Sequence, residues 1–320
     1  MFTPTVRKMV KVSVGMMGSS VASGSASLAT PAQVSAFLAV VKKHGIKELD
    51  TARVYNQGRS EELLGEVDAS KDFIVATKAP AFAPGSLKEA NIIENCGKSL
   101  EALKMKKIPL YYLHGPDKDT SFEEQCRAVN TLYKEDKFEQ WGLSNISPSQ
   151  VQEVHDICAK EGYPPPKVYQ GIYNPITWEF QEKQLFPVLK NLNMEFYAYS
   201  PLAGGLLAKP IAQIKSPEKG SRYDQMKIFG DMYLNDENVA ALEKLQSVCD
   251  SESVPLVEAT MRWFMHHSAL GADDAIIVGA SNESQIDKSL SACEKGPLPE
   301  ALAKSFQELR ESIKFDMPSL

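Results

Sequence analysis

The chain has 320 residues, 43% of them hydrophobic and 24% charged, with a formal net charge of −6. That is ordinary globular composition. The acidic balance gives no electrostatic case for nucleic acid or an anionic membrane surface, and no apolar run approaches the length that spans a bilayer. Five cysteines (Cys96, Cys126, Cys158, Cys249 and Cys293) are odd in number and lack metal spacing. They read as free thiols in a reducing compartment. The serine-rich stretch before Glu48, with Arg7, Lys8 and Lys11 and no acid, has the bias of a transit peptide. Against that, Val10-Lys11-Val12-Ser13-Val14 alternates like a first strand that the fold needs, so a cytoplasmic protein is expected.

After that strand come Gly15-Met16-Met17-Gly18 and a small-residue loop to Ala29. Thr30-Pro31 supplies a capping hydroxyl and a proline at the first helical position. The helix it opens should run to about His44 and stop at Gly45. Strand two ends at Asp50, a short helix covers 60–67, and strand three covers 73–78. Ser86 is the expected cap of a helix reaching Leu103, with Ala90, Ile93, Gly97 and Leu100 on one face. Strand four covers 108–114, a helix follows over 121–135, and strand five over 138–143 runs into Ser144-Asn145. Ser147-Pro148 repeats the cap-plus-proline device and opens a helix to about Lys160. Strand six covers 168–173, a helix holding Pro187 in an early turn covers 184–192, and strand seven covers 194–200. Residues 202–236 are rich in Gly, Lys and Pro and lack clean periodicity, which predicts a long functional loop or lid. Helices over 238–249 and 254–267, strand eight over 274–279, and helices over 284–293 and 299–313 complete the chain.

Eight strand–helix alternations with no break in composition predict one (β/α)₈ TIM barrel domain over residues 1–320, with an extra C-terminal helix and a long loop after strand seven. A doubly wound sheet would want Gly-x-Gly-x-x-Gly after strand one. Gly15-Met16-Met17-Gly18 lacks that spacing, and there is no P-loop.

In a parallel barrel the C-terminal strand ends open onto one face, where active sites are built. Asp50, Lys78 and His114 end predicted strands two, three and four, and Tyr55 lies just past the second. A phenol gives up its proton poorly near pH 7. An ammonium about 4 Å away favours the phenolate by roughly 4 kcal/mol at an effective dielectric of about 20. Lys78 can therefore tune Tyr55 as an acid, Asp50 can hold Lys78 charged, and His114 can orient a carbonyl oxygen by a hydrogen bond. Each residue alone has a bland reading as barrel packing; the set at successive strand ends favours catalysis. Adjacent His266 and His267 diverge on a helix and have no third ligand in range, so no metal is expected. His44 and His155 read as surface or capping residues. Tyr197 and Tyr199 read as barrel packing, and Gly204-Gly205 as a turn or a close approach to a ligand.

Asp50-Thr51-Ala52-x-x-Tyr55, Thr77-Lys78, Tyr112-Leu113-His114, Gly142-Leu143-Ser144-Asn145, Tyr169-Gln170, Tyr199-Ser200-Pro201-Leu202-Ala203-Gly204-Gly205-Leu206 and Val278-Gly279-Ala280-Ser281 stand in one order and register. With these pieces the chain resembles the aldo-keto reductases over nearly its whole length. His114-Gly115-Pro116-Asp117, 168–174 and 262–268 carry a finer resemblance to the aflatoxin aldehyde reductase and succinic semialdehyde reductase branch. The resemblance implies Tyr55 as general acid, Asp50 and Lys78 as its tuners, and His114 as substrate orienter. It implies NADPH across the barrel mouth, with Ser144, Asn145 and Gln170 at the nicotinamide and Ser200, Leu202 and Gly204 around the pyrophosphate. Gly279, Ser281, Gln285 and Ser289 would reach the adenosine end, and Lys209, Lys215 and Arg222 would sit near phosphate.

Departures from the pattern carry expectations of their own. Arg53 stands beside the proposed acid where relatives tend to be neutral, and Ser289 where they often have asparagine. The semialdehyde reductases end on an arginine that anchors a carboxylate; here the last residues are Met317-Pro318-Ser319-Leu320, so an acidic semialdehyde is not expected as the main substrate unless Arg222 or another cation substitutes. Met17, Phe82, Trp178 and Tyr223 are the candidate pocket residues. The expected partner is a small carbonyl compound, and the chain is expected as a monomer or homodimer. Two rival readings stand beside reduction of aldehydes and some ketones. One is a cofactor-binding regulatory subunit like those of potassium channels. The other is a barrel aldolase with Lys78 as Schiff base.

Overall fold

A computed structural model describes residues 10–18, 28–215, 235–313 and 315. Eight parallel strands close a barrel in chain order: β1 (Lys11–Gly15), β2 (Glu48–Asp50), β3 (Ile74–Ala79), β4 (Ile108–Leu113), β5 (Phe138–Ser144), β6 (Val168–Ile172), β7 (Glu195–Tyr199) and β8 (Ala275–Gly279). The helices between and after them are α1 (Pro31–Lys43), α2 (Arg59–Glu66), α3 (Glu89–Ala102), α4 (Phe122–Lys134), α5 (Pro148–Glu161), α6 (Trp178–Phe180), α7 (Phe186–Asn191), α8 (Ile211–Lys215), α9 (Asp236–Ser251), α10 (Leu256–His266), α11 (Glu283–Cys293) and α12 (Glu300–Ser312). This is the (β/α)₈ TIM barrel that the alternation predicted, with α12 as the additional C-terminal helix. Much of the long loop after β7 lies outside the described residues, and with it Arg222 and Tyr223.

The pleat decides what reaches the mouth. Side chains two apart on a strand share a face. Ala76, Leu110, Tyr112, Val168, Tyr197, Ala275 and Ile277 form an apolar cluster. One step further along β3, β6 and β7 stand Lys78, Gln170 and Tyr199. The register sets Lys78 beside Tyr112, and Gln170 between Ser144 and Tyr197. At the N-terminal end, Lys11 Nζ lies 3.0 Å from Glu195 Oε2. Burial raises the Glu48 carboxyl there, against the pull of a hydrogen bond from Tyr197 and the charge of Lys11. The larger core lies around the barrel; Phe37, Val41, Ile92, Trp141, Phe264 and Phe306 are among its fully buried members.

Both cap-plus-proline sites form capping boxes. Gln33 N donates to Thr30 Oγ1 and Gln33 Oε1 accepts from Thr30 N, and Gln150 pairs with Ser147 in the same way. Two local expectations need correction. α3 starts at Glu89 and Ser86 does not cap it. The Asp117 carboxylate, brought from the loop after β4, accepts from Gly85 N at 2.9 Å and Leu87 N at 2.8 Å, and Glu124 accepts from Glu89 N at 3.0 Å. Charged acceptors from a neighbouring segment do there what a local hydroxyl does elsewhere. The helix expected at 184 begins at Trp178 instead. A π turn (Gln181–Leu185) separates α6 from α7, with Phe186 N–H bonding Gln181 O. This wider turn precedes Pro187, whose ring would crowd a regular α turn.

Candidate active site

Asp50, at the end of β2, is the hub. Its Oδ1 accepts from Lys78 Nζ at 2.6 Å and its Oδ2 from Gln170 Nε2 at 2.8 Å. Lys78 also donates to Thr51 O at 2.7 Å. The Lys78 side chain is fully buried and that of Asp50 is 4% exposed. A buried charge persists only when paired and hydrogen-bonded. Burial works against the Lys78 ammonium, but the charge of Asp50 first, then the Tyr55 phenol, and hydrogen bonds to both hold its pKa above the ordinary value. Lys78 Nζ stands 5.1 Å from the Tyr55 ring centroid and 5.6 Å from that of Tyr112.

Tyr55 leaves the barrel on a turn, its N–H bonded to Ala52 O at 3.0 Å. The next residues, Asn56, Gln57 and Gly58, take φ values of 48°, 57° and 94°. The Tyr55 and His114 rings meet edge to face with centroids 5.7 Å apart. Burial first, and the Lys78 charge second, lower the His114 pKa to about 3. His114 is therefore a neutral imidazole at neutral pH, and its buried Nδ1 has no hydrogen-bond partner among the described residues. Of the two phenols near Lys78, Tyr55 is half-buried and reaches the mouth. Tyr112 is sealed in the barrel, where burial pushes its pKa well up and removes it as a proton donor.

The ends of β5, β6 and β7 bring amide and hydroxyl groups to the same mouth. Asn145, at φ 56°, donates to His114 O at 3.0 Å and to Ser144 Oγ at 2.9 Å. Its Oδ1 accepts from Tyr199 OH at 2.7 Å. Ser200 has φ 54°, and its carbonyl accepts from Asn174 Nδ2 at 3.1 Å. Ala203, Gly204 and Gly205 follow at φ 47°, 70° and 115°. The turn closes on itself: Ala203 N–H donates to Ser200 O at 2.9 Å, Gly205 N–H to Leu202 O at 2.8 Å and Leu206 N–H to Ala203 O at 3.3 Å. Leu202 and Gly204 are half-buried on that turn, and Lys209 is exposed after it. At the end of β8, a Cβ added to Gly279 would have no neighbour within 4 Å. Ser281 N donates to Gln285 Oε1 at 3.0 Å, both residues exposed, whereas Ser289 is buried on α11.

Among the candidate pocket residues, Met17 and Phe82 are exposed by 38% and 59%. The Phe82 ring lies 5.8 Å from that of His114. Trp178 faces the terminal helix: its Nε1 donates to Arg310 O at 3.1 Å, and the Arg310 guanidinium lies 4.1 Å from its ring centroid. His266 and His267 contact Lys295 O and Leu298 N, and no group among the described residues could hold a metal. Tyr199 and Asn174 are the polar residues the sequence reading missed. Tyr199 was detectable as the position two beyond Tyr197 at a strand end; the Asn174 contact joins loops distant in sequence.

The model of the Aldo/keto reductase family matches residues 11–311. The chain belongs to that family. It is therefore an oxidoreductase acting on carbonyl groups. It is 37% identical over 289 residues to an oxidoreductase, sirO, of Leptosphaeria maculans, covering 88% of this chain and 87% of the relative. Aldo-keto reductase family 7 member A3 of Homo sapiens is 36% identical over 296 residues, 87% of this chain and 88% of the relative. Aflatoxin B1 aldehyde reductase member 2 of Mus musculus is 36% identical over 310 residues, 91% of this chain and 82% of the relative.

Proposed function

We propose that this aldo-keto reductase reduces neutral aldehydes, and some ketones, with NADPH, Tyr55 giving the proton. The observation that carries this reading is the buried Asp50–Lys78 pair, joined to a Tyr55 phenol that stands against a neutral His114. When bound, the dinucleotide supplies hydride to the carbonyl carbon. As the carbonyl oxygen gains negative charge, Tyr55 donates its proton and the ammonium of Lys78 stabilises the phenolate left behind. Asp50 keeps Lys78 charged in a dry site. His114, neutral, can donate to the carbonyl oxygen without contributing a charge of its own.

The donor set fits a nicotinamide dinucleotide. The Ser144 hydroxyl and the carboxamides of Asn145 and Gln170 would meet the polar edge of a nicotinamide, the amides exchanging for it bonds they make to His114 O, Tyr199 and Asp50. The exposed ammonium of Lys209, just past the tight turn Ala203–Gly205, would suit a pyrophosphate. Gly279, Ser281 and Gln285 would hold the adenosine end once Gln285 releases Ser281 N. Preference for a neutral carbonyl compound rests on the exposed apolar side chains Met17, Val54 and Phe82 on the loops after β1, β2 and β3, and on Arg53 being engaged by Glu61. A cytoplasmic location is favoured by five buried, unpaired cysteines; no helix among the described residues is long and apolar enough to cross a membrane.

NADPH oxidation followed against aromatic, aliphatic and carboxylated aldehydes tests this. The wild-type chain should turn over the first two best. Tyr55→Phe should lose at least about a thousandfold in kcat, on the scale of an acid catalyst's contribution, and still bind NADPH. A fully active Tyr55→Phe would remove the mechanism. Tight NADPH binding with no turnover would favour the regulatory-subunit reading.

A further inference from the structure

Beneath the Tyr55 turn lies a second buried ion pair, separate from the Asp50–Lys78 pair. Arg53 Nη1 lies 2.5 Å from Glu61 Oε2, with side chains 16% and 0% exposed. The other Glu61 oxygen accepts from Thr77 Oγ1 at 2.5 Å. Arg53 and Thr77 each sit close in sequence to a residue of the proton-donating group: Arg53 is two before Tyr55 and Thr77 one before Lys78. The backbone repeats the link, with Arg53 N donating to Lys78 O at 3.2 Å. The guanidinium also packs against the turn. A Cβ on Gly58, at φ 94°, would fall 1.6 Å from Arg53 Nη2. Ser60, beside Glu61, bonds Thr51 Oγ1 at 2.8 Å and Met16 O at 2.8 Å.

We propose that Arg53 and Glu61 are a positioning pair that clamps the Tyr55 turn to β3 and so sets the approach of the Tyr55 phenol to Lys78. The proposal rests on the reading of Tyr55 as acid. Asn56, Gln57 and Gly58 all have positive φ, a run that favours glycine and that L side chains adopt only when surroundings impose it. Asn56 Nδ2 donates to Met17 O at 3.1 Å on one side of the turn; on the other, Arg53 packs against Gly58 and ties the turn through Glu61 to the strand carrying Lys78. Glu61 compensates the Arg53 charge within the fold, so Arg53 is a clamp here and not an anchor for a substrate anion. Among the described residues, Lys78, His114 and Tyr199 are charged or titratable groups that meet Tyr55, with Asp50 behind Lys78; Arg53 is placed to act on it through the backbone.

Arg53→Met, Arg53→Lys and the double variant Arg53→Met with Glu61→Gln test this against the wild type. The readouts are kcat and KM for one neutral aldehyde across pH, and NADPH binding by fluorescence. The double variant leaves no buried charge unpaired, so it reports even where Arg53→Met alone fails to fold. A misplaced acid should lower kcat roughly tenfold or more. KM and NADPH affinity should stay within about threefold. The alkaline limb of kcat should move to higher pH, because the phenolate loses part of its ammonium stabilisation. Arg53→Lys should recover part of the loss. A double variant with wild-type kcat and pH profile, whatever its thermal stability, overturns the proposal and leaves the pair structural. Full activity in Tyr55→Phe overturns the acid itself and the clamp with it, and that result needs no Arg53 variant.

Discussion

Two side chains, Lys78 and His114, carry the electrostatics of the mouth, and burial presses on both in the same direction. Burial disfavours the charged form of each. Lys78 keeps its ammonium because Asp50 and Tyr55 outweigh that pressure. A lysine held charged in this way is a poor free amine for a Schiff base, which counts against the aldolase reading. His114 has no such carboxylate, and its pKa falls to about 3 from 6.5. Between those values the unfolded chain binds a proton that the folded chain refuses. The contribution to stability is full above pH 6.5 and is lost as pH falls toward 3. From pH 6.5 to 5 the loss is about 2 kcal/mol. Urea midpoints measured over that interval should drop for the wild type and drop less for His114→Gln. Parallel curves would mean that the imidazole titrates as freely in the folded chain as in the unfolded one.

At the scale of elements, the site depends on how closely α2 approaches α3. Gly65 is buried on α2, and a Cβ there would meet Ala102 O at 2.0 Å and Ala102 C at 3.0 Å. Backbone cannot swing aside as a side-chain tip can. Gly65→Ala should cost about 2 kcal/mol or more, seen as a lower urea midpoint at unchanged m-value. A wild-type midpoint would show that the two helices part without cost. Because α2 also carries Glu61, its seat against α3 helps determine where Glu61 meets Arg53. The turn from Ser200 to Gly205 has a different logic. Its positive-φ residues close it on itself, with the N–H groups of Ala203, Gly205 and Leu206 bonded to carbonyls of the same turn.

For the whole molecule, a closed barrel places strand ends from distant parts of the chain around one opening, and a dinucleotide lying across it would tie those ends together. A ligand bound only to the folded chain adds about 2.7 kcal/mol at a hundred times its dissociation constant. NADPH at saturation should therefore raise the melting temperature by several degrees, and NADH at equal concentration by less. Identical shifts from the two would count against selection of the 2′-phosphate. No shift from either would count against dinucleotide binding.

The strands, most helices and the gathering of Asp50, Tyr55, Lys78 and His114 at one end of the barrel were legible in the sequence, because each is marked locally. Alternation ends on a polar residue, and a hydroxyl followed by proline opens a helix. The Ser86 cap misled for the opposite reason: its role went to Asp117 and Glu124, which approach from elsewhere. Composition and periodicity specify which elements form and which face of each is apolar. Whether a polar group is charged, satisfied or free to react depends on what other segments bring to within about 3 Å of it. That distance is a property of the closed barrel, so only the tertiary structure decided that Gln170 binds Asp50, that Tyr199 holds Asn145, and that Arg53 turns inward to Glu61.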